Sequence, residues 1–387
     1  MVKANLTAVI LLALAATSTN GQKAVCNDGA ATPTTAPTPG PKHRPTIVGH
    51  RGAPGYLPEH TIESYTLAIE MGVDFIEPDL VSTKDGVLVA RHEPNIVATT
   101  DVADRPEFAS RQRTMLVDGR NESGFFVSDF TLAEIKTIRA KQAMSDRDQS
   151  YNGKYQIPTL AEVITLAKAK SKDVGRTIGI YPETKHSIYH RDLGLPLEEK
   201  LLEALKSAGW NTADAPVIIQ SFEQANLKEL RKQTPVKLAQ LVDSFGAPYD
   251  WTVSGRNGTV LDLLSKSGLD EVKTYADIIA PYKRHLVQTR PVKTDPATGA
   301  TVDVDGDKML TDADYYTSVN STIIADAHAR GLLVHSWTFR DEYYRLAANY
   351  SSDPTLEYID FFHQGLDGLF SDNAKTAVAA RATYLGN

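Results

Sequence analysis

Eight short apolar runs separated by stretches of helical periodicity restrict the fold of this chain more than any other feature. The runs occupy residues 46–48, 73–80, 177–180, 216–222, 237–242, 275–281, 332–339 and 368–371. Several are continuously apolar rather than alternating, the pattern of strands covered on both faces. Amphipathic segments lie between most of them, such as 59–71, 160–170, 197–208 and 223–233. This alternation predicts a parallel sheet covered by helices, and eight units over this length predict an α/β fold of the TIM (β/α)8 barrel type. An open doubly wound sheet is the structural rival. No Gly-X-Gly-X-X-Gly turn follows the first run, so its dinucleotide-binding form has no support.

Two segments are too long for ordinary connections. Residues 94–155 carry their own apolar and charged clusters, with a helical stretch at 132–140, and are expected to form a small insertion after the second strand, folded on top of the barrel. Residues 294–314 are rich in Asp and Gly. The run Asp303-Val-Asp-Gly-Asp307 has some features of a calcium loop, but Gly306 is misplaced and the bidentate Glu is missing, which favours a turn-rich loop. Residues 249–270 form a further stretch expected to shape substrate choice.

Upstream, Lys3 and the apolar residues 6–16 read as a signal peptide over 1–21. A Pro/Thr/Ala-rich linker spans 22–45, and the folded domain covers 46–387. The mature protein is therefore expected outside the cytoplasm, secreted or periplasmic. No later segment offers about 20 uninterrupted apolar residues, so no stable membrane insertion is expected. With 41 basic against 48 acidic residues and a net charge of -7, the chain lacks the basic field that nucleic acid requires. Cys26 is the only cysteine, which excludes an intrachain disulfide. Lys23 and Val25 occupy positions where a lipoprotein signal has Leu and a small residue, which argues against lipid anchoring at Cys26. Asn121, Asn257, Asn320 and Asn349 begin glycosylation sequons, a motif too short to fix the source. Oligomeric state is not encoded legibly.

The chemistry concentrates in Val48-Gly-His-Arg-Gly52, Pro58-Glu-His-Thr61, Asp74-Phe-Ile-Glu-Pro-Asp79, Lys84-Asp-Gly86 and Ala90-Arg-His-Glu93. His50 and Arg51 follow the first strand, and strand C-termini are where a barrel gathers catalytic groups. Glu77 and Asp79, spaced i and i+2 on the second strand, are expected on one face. Two adjacent carboxylates on an apolar strand repel unless a cation lies between them, and hard oxygen ligands suit calcium or magnesium. Glu183 ends the third strand and would complete a three-carboxylate cage. Lys185 adds a compact positive charge at the same mouth, as a phosphate would need. The Asp85-Gly86 turn predicts a hairpin that returns His92 toward the carboxylates. Two imidazoles beside a phosphodiester can divide general acid and general base work, though spacing does not say which does which.

At these residues the chain resembles the glycerophosphodiester phosphodiesterase family, especially its larger secreted bacterial branch. The resemblance runs from about Thr46 to the C-terminal helix and includes Pro58-Glu-His-Thr-X-X-Ser64, Ile180-Tyr-Pro-Glu-Thr-Lys185, Gln220-Ser-Phe222 and His335-Ser-Trp-Thr338. It implies a TIM barrel with a small insertion, hydrolysing glycerophosphodiesters to an alcohol and sn-glycerol 3-phosphate. Carried over by position, His50 and His92 are the acid/base pair, and Glu77, Asp79 and Glu183 ligate a divalent ion, calcium before magnesium. Arg51 and Lys185 hold the phosphate, while Gln220, Tyr282 and Trp337 line the glycerol pocket. Many members follow the second histidine with Asp where this chain has Glu93, a longer arm that changes how His92 would be oriented.

Two other readings use the same residues. One is a phosphodiesterase of this architecture acting on phosphatidylinositol, a lysophospholipid or a teichoic acid. The other is a catalytically silent surface binding protein, against which the presence of both histidines and all three carboxylates argues.

Overall fold

A computed structural model describes residues 43–387. The expected signal peptide, nearly all of the linker and Cys26 lie outside the described residues. The barrel strands are β1 (Thr46–Gly49), β2 (Phe75–Ile76 and Asp79–Ser82), β3 (Gly179–Ile180 and Glu183–Thr184), β4 (Ile218–Ser221), β5 (Lys237–Val242), β6 (Ile278–Pro281), β7 (Leu333–Phe339) and β8 (Gly368–Ser371). Each pairs in parallel with the next, and β8 pairs with β1, so the ring closes. Closure leaves no free edge among these strands.

Alternation along the strands sorts side chains into two layers. Val48, Ile218, Ala239, Ile278 and Phe370 meet Tyr181 in one apolar cluster. Their chain neighbours Ile47, Ile219, Leu238, Ile279 and Leu369 belong to the larger cluster shared with the helices. Capping fixes where those helices begin. The side chain of Thr61 accepts from the Ser64 amide at the start of Ile62–Met71, and Thr159 with Glu162 forms a capping box on Leu160–Asp173.

The expected strand 73–80 is not continuous. It breaks at Glu77 and Pro78, and β3 breaks in the same way at Tyr181 and Pro182. Proline has no N–H to give to a ladder. The chain resumes when Glu183 N donates to Pro78 O and Gln220 N donates to Pro182 O. The carboxylates Glu77, Asp79 and Glu183 thus flank two proline breaks instead of lying on unbroken strands.

Beyond β2, Leu88–Ala90 folds back antiparallel onto Asp79–Ser82. The segment that follows has its own buried cluster, including Ile96, Val102, Phe108, Phe125, Val127, Phe130 and Ile135, and an antiparallel hairpin of Arg113–Val117 and Arg120–Gly124. The helix expected over 132–140 stops after Leu132–Ile135. Ala140 and Arg139 are bridged instead to Thr100 and Gln156, so cross-chain pairing replaces the last helical turn. In the Asp-rich loop, Asp303 accepts from the amides of Gly306 and Lys308 at 2.7 and 2.8 Å, as a turn does. No helix among the described residues is long and apolar enough to cross a membrane.

Candidate active site

The strand C-termini open into a cavity of about 830 Å³. It is lined by all ten residues singled out from the sequence: His50, Arg51, Glu77, Asp79, His92, Glu183, Lys185, Gln220, Tyr282 and Trp337.

Its floor is acidic. Glu77, Asp79 and Glu183 are buried, and each offers a carboxylate oxygen within 4.8 Å of the others. Burial, then the neighbouring negative charges, pushes Glu77 well above the usual carboxylate range. Burial also raises Glu183, to about 8, against the pull of Lys185, whose Nζ lies 3.2 Å from its Oε1. Burial opposes ionisation of Asp79 too, but His60 and Lys185 hold it well below its ordinary value. Asp79 Oδ1 is buried and has no hydrogen-bond partner. Three crowded carboxylates, one with an orphaned oxygen, form a hard-oxygen donor set that fits a divalent cation such as calcium or magnesium.

Neighbouring groups aim these carboxylates. His60, fully buried, bridges Asp79 Oδ2 at 2.9 Å and the Tyr65 hydroxyl at 2.7 Å. Gln220 is also fully buried, and its amide donates to Glu77 Oε1 at 2.8 Å. The Arg51 amide donates to Glu77 Oε2 at 2.7 Å, while its guanidinium meets Glu59 at 3.0 Å and approaches Asp79 at 3.7 Å. Gly52 makes this turn possible. It has a φ of +98°, and a Cβ there would lie 2.5 Å from Ser64 Oγ, which accepts from the Ala53 amide at 2.8 Å. The two halves of the motif, His50-Arg-Gly and the run ending at Ser64, are therefore in contact. Arg91, fully buried, closes the arrangement by donating to the carbonyls of Glu59 and His60.

The two imidazoles are held alike. His50 Nδ1 lies 2.5 Å from Asp372 Oδ1, and His92 Nδ1 lies 2.7 Å from Glu93 Oε1. Each pairing fixes a tautomer and leaves Nε2 uncommitted. Burial and Arg51 lower His50 to about 4. Burial, Arg51 and Lys185 lower His92 to about 3. Glu93, despite being one methylene longer than Asp, does reach its histidine. On the far side, Trp337 packs against Tyr282 and Phe222 with centroids 5.6 Å apart in both pairs, and Lys185 Nζ stands 5.5 Å from the Phe222 ring.

Sequence reasoning assigned no role to His60, Asp372, Arg147, Arg340, His186 or Asp118. Asp372 carried a signal, an acid directly after the last strand, and His60 sat inside a motif already noted. Arg147 and Arg340 both bind Asp372 Oδ2 at 2.7 Å, partnerships that only the fold creates.

A barrel whose catalytic face pairs buried oxygen ligands with cations and carboxylate-backed imidazoles defines a class, the enzymes of phosphoester hydrolysis. The model of the glycerophosphoryl diester phosphodiesterase family matches residues 50–376, and the chain belongs to that family. Glycerophosphodiester phosphodiesterase GDPD6 of Arabidopsis thaliana is 38% identical over 342 residues, covering 85% of this chain and 84% of its own. The glycerophosphodiester phosphodiesterase of Haemophilus influenzae is 32% identical over 274 residues, 64% of this chain and 72% of its own. In fold, the chain is similar to a glycerophosphoryl diester phosphodiesterase of Silicibacter pomeroyi (TM-score 0.59, 18% identity, 88% of this chain and 94% of that one). It is also similar to a phosphodiesterase of Oleispira antarctica solved with sn-glycerol-3-phosphate (TM-score 0.54, 20% identity, 87% and 96%).

Proposed function

We propose that the protein hydrolyses glycerophosphodiesters to an alcohol and sn-glycerol 3-phosphate, with His50 and His92 as the acid/base pair. The observation that carries this is the matched presentation of the two imidazoles, each with Nδ1 on a carboxylate and Nε2 free, beside three buried carboxylates and two cations in one cavity.

Arg51 and Lys185 take the phosphate oxygens, and Tyr282, Trp337 and Phe222 offer an apolar wall to the glycerol carbons. One imidazole accepts the proton of the neighbouring glycerol hydroxyl as its oxygen bonds to phosphorus. The bond to the headgroup oxygen breaks, and the other imidazole protonates that alkoxide. Water then opens the cyclic phosphate with the proton transfers reversed. The depressed imidazoles are suited to this. Burial does most to keep them neutral and the nearby cations add to it; an anionic substrate on those cations relieves their part of the repulsion and lets one imidazole hold a proton. Glu77, Asp79 and Glu183 would hold a divalent cation, calcium before magnesium, whose charge offsets that developing on the phosphate oxygens.

Export is part of the same proposal, supported by the sequence of residues 1–21, and N-terminal sequencing of the mature protein tests it. The function is tested by release of glycerol 3-phosphate from glycerophosphocholine, with and without EDTA and then with calcium or magnesium restored. Activity that chelation abolishes and an added ion restores is the expected result. No release with any ion would overturn the assignment.

A further inference from the structure

Behind His92 stands a chain of charged groups that the reaction above does not use. Glu93 spends its second oxygen on His186, with Oε2 3.0 Å from His186 Nε2. His186 Nδ1 in turn lies 2.7 Å from Asp118 Oδ2. Asp118 is the turn residue at the tip of the hairpin Arg113–Gly124, next to Gly119, where a Cβ would touch the Tyr249 ring at 3.5 Å. Four side chains therefore run from His92 to the turn of a hairpin that is not part of the barrel but whose Asp118, Gly119 and Arg120 line the same cavity.

The backbone is bent to make this link. Asp118 and His186 have φ of 44° and 48°, a region disfavoured for residues with a Cβ, and Arg51 and His60 share it at 52° and 53°. Those four are a majority of the seven non-glycine residues with positive φ among the described residues. Burial would discourage charge on His186, yet its two carboxylate partners raise it to about 10, so it is an imidazolium at neutral pH. The other ionisable groups that respond to it are Glu223, whose Oε1 accepts from the Ile188 amide at 3.3 Å, and His190 on the following turn.

We propose that His186 and Asp118 are positioning residues. His186 clamps Glu93 so that His92 keeps one tautomer and one ring orientation, and Asp118 ties that clamp to the hairpin, so hairpin docking and imidazole alignment are a single event. The inference rests on the reading of His92 as half of the acid/base pair. The hairpin's turn lines the cavity, and apart from any contact with substrate, a hairpin that lifts away takes Asp118 with it and frees Glu93 to rotate.

The test compares Asp118→Asn, His186→Gln and Glu93→Gln with the parent enzyme on glycerophosphocholine at saturating divalent ion. Arg113→Ala serves as a control that removes the hairpin's ion pair with Asp129 and leaves the chain intact. Each chain variant is expected to lose about tenfold in kcat, the usual scale for groups that orient a site residue, with KM nearly unchanged. The double variant Asp118→Asn/Glu93→Gln should lose no more than the worse single one, because both break the same link. The limb of the kcat–pH profile set by His92 should move in opposite directions: up in pH for His186→Gln, which removes a cation, and down for Glu93→Gln, which removes an anion. A purely structural role would not give opposed shifts. If His92→Ala is inactive but Asp118→Asn and His186→Gln keep parental kcat and pH profile, this inference is overturned and the proposed function stands. Arg113→Ala should cost no more in kcat than Asp118→Asn, because the hairpin acts on His92 through Asp118, and a larger loss would show the hairpin acting by another route and overturn the inference. Full activity in His92→Ala would instead remove the acid/base reading on which it rests.

Discussion

His50 and His92 rest Nδ1 on a carboxylate in the same way, but different things stand behind the two carboxylates. Asp372, behind His50, is fixed by the guanidiniums of Arg147 and Arg340 on one oxygen, deep in the protein. Glu93, behind His92, is partly exposed and fixed by an imidazolium that hands on to a hairpin turn. Guanidiniums stay charged at any pH a protein survives, whereas an imidazolium keeps its proton only while its carboxylate partners stay in place. One arm is permanently charged and buried. The other, whose imidazole is held protonated up to about 10 by its two carboxylates, can be released by movement of the hairpin.

The largest effect should come from the imidazoles themselves. His50→Ala and His92→Ala are each expected to lower kcat by about 10²–10⁴-fold with little change in Tm, and normal turnover in either would break the symmetry argued for them. Next comes the contrast between the carboxylates. Asp372→Asn strips the carboxylate from Arg340 and leaves Arg147 with Glu342 alone, and should cost about 3–5 kcal/mol in urea unfolding, whereas Glu93→Gln should cost far less because its surroundings are wetter. Equal destabilisation would show that both arms are equally rigid. Glu77→Gln should leave kcat at saturating ion closer to normal but raise the divalent ion concentration needed for half activity, which a metal titration reads directly.

The smallest effect separates the arms by pH. His186 has a folded-state value near 10 against about 6.5 unfolded, so the stability it contributes is fully present below pH 6.5 and is lost as pH rises through 10. The Tm advantage of the parent over His186→Gln should therefore shrink between those limits. A constant difference would mean that the imidazolium does not hold the hairpin.

The barrel was legible because covered parallel strands write themselves as apolar runs. Residues 237–242 and 368–371 coincide with β5 and β8, and the other strands shift by a few residues at their ends. The ten singled-out residues could be gathered because barrel topology sends every strand end to one face, so position along the chain predicts position in space. Their chemical roles were not legible in that way. What escaped the sequence was partnership across the fold. Asp118 lies in a segment whose pattern suggested only a separate small core, and no local signal says that its turn would meet His186. Glu77 and Asp79 were read as positions i and i+2 on one face of a continuous strand, although Pro78 between them was already a reason to expect a break. The helix at 132–140 failed for a related reason, since pairing of Arg139 and Ala140 with distant residues outweighed a weak local preference.

The pairing of His50 with Asp372 joins residues 322 positions apart, and it has a consequence for how the protein is made. As the chain is synthesised, the motif that carries His50, Glu77, Asp79 and His92 emerges early, yet His50 has no carboxylate and the ring has no closing strand until the residues of β8 have followed. A nascent chain therefore holds both imidazoles and two of the three clustered carboxylates long before the cavity around them exists, and the cavity is completed in one late step when the last strand docks beside the first.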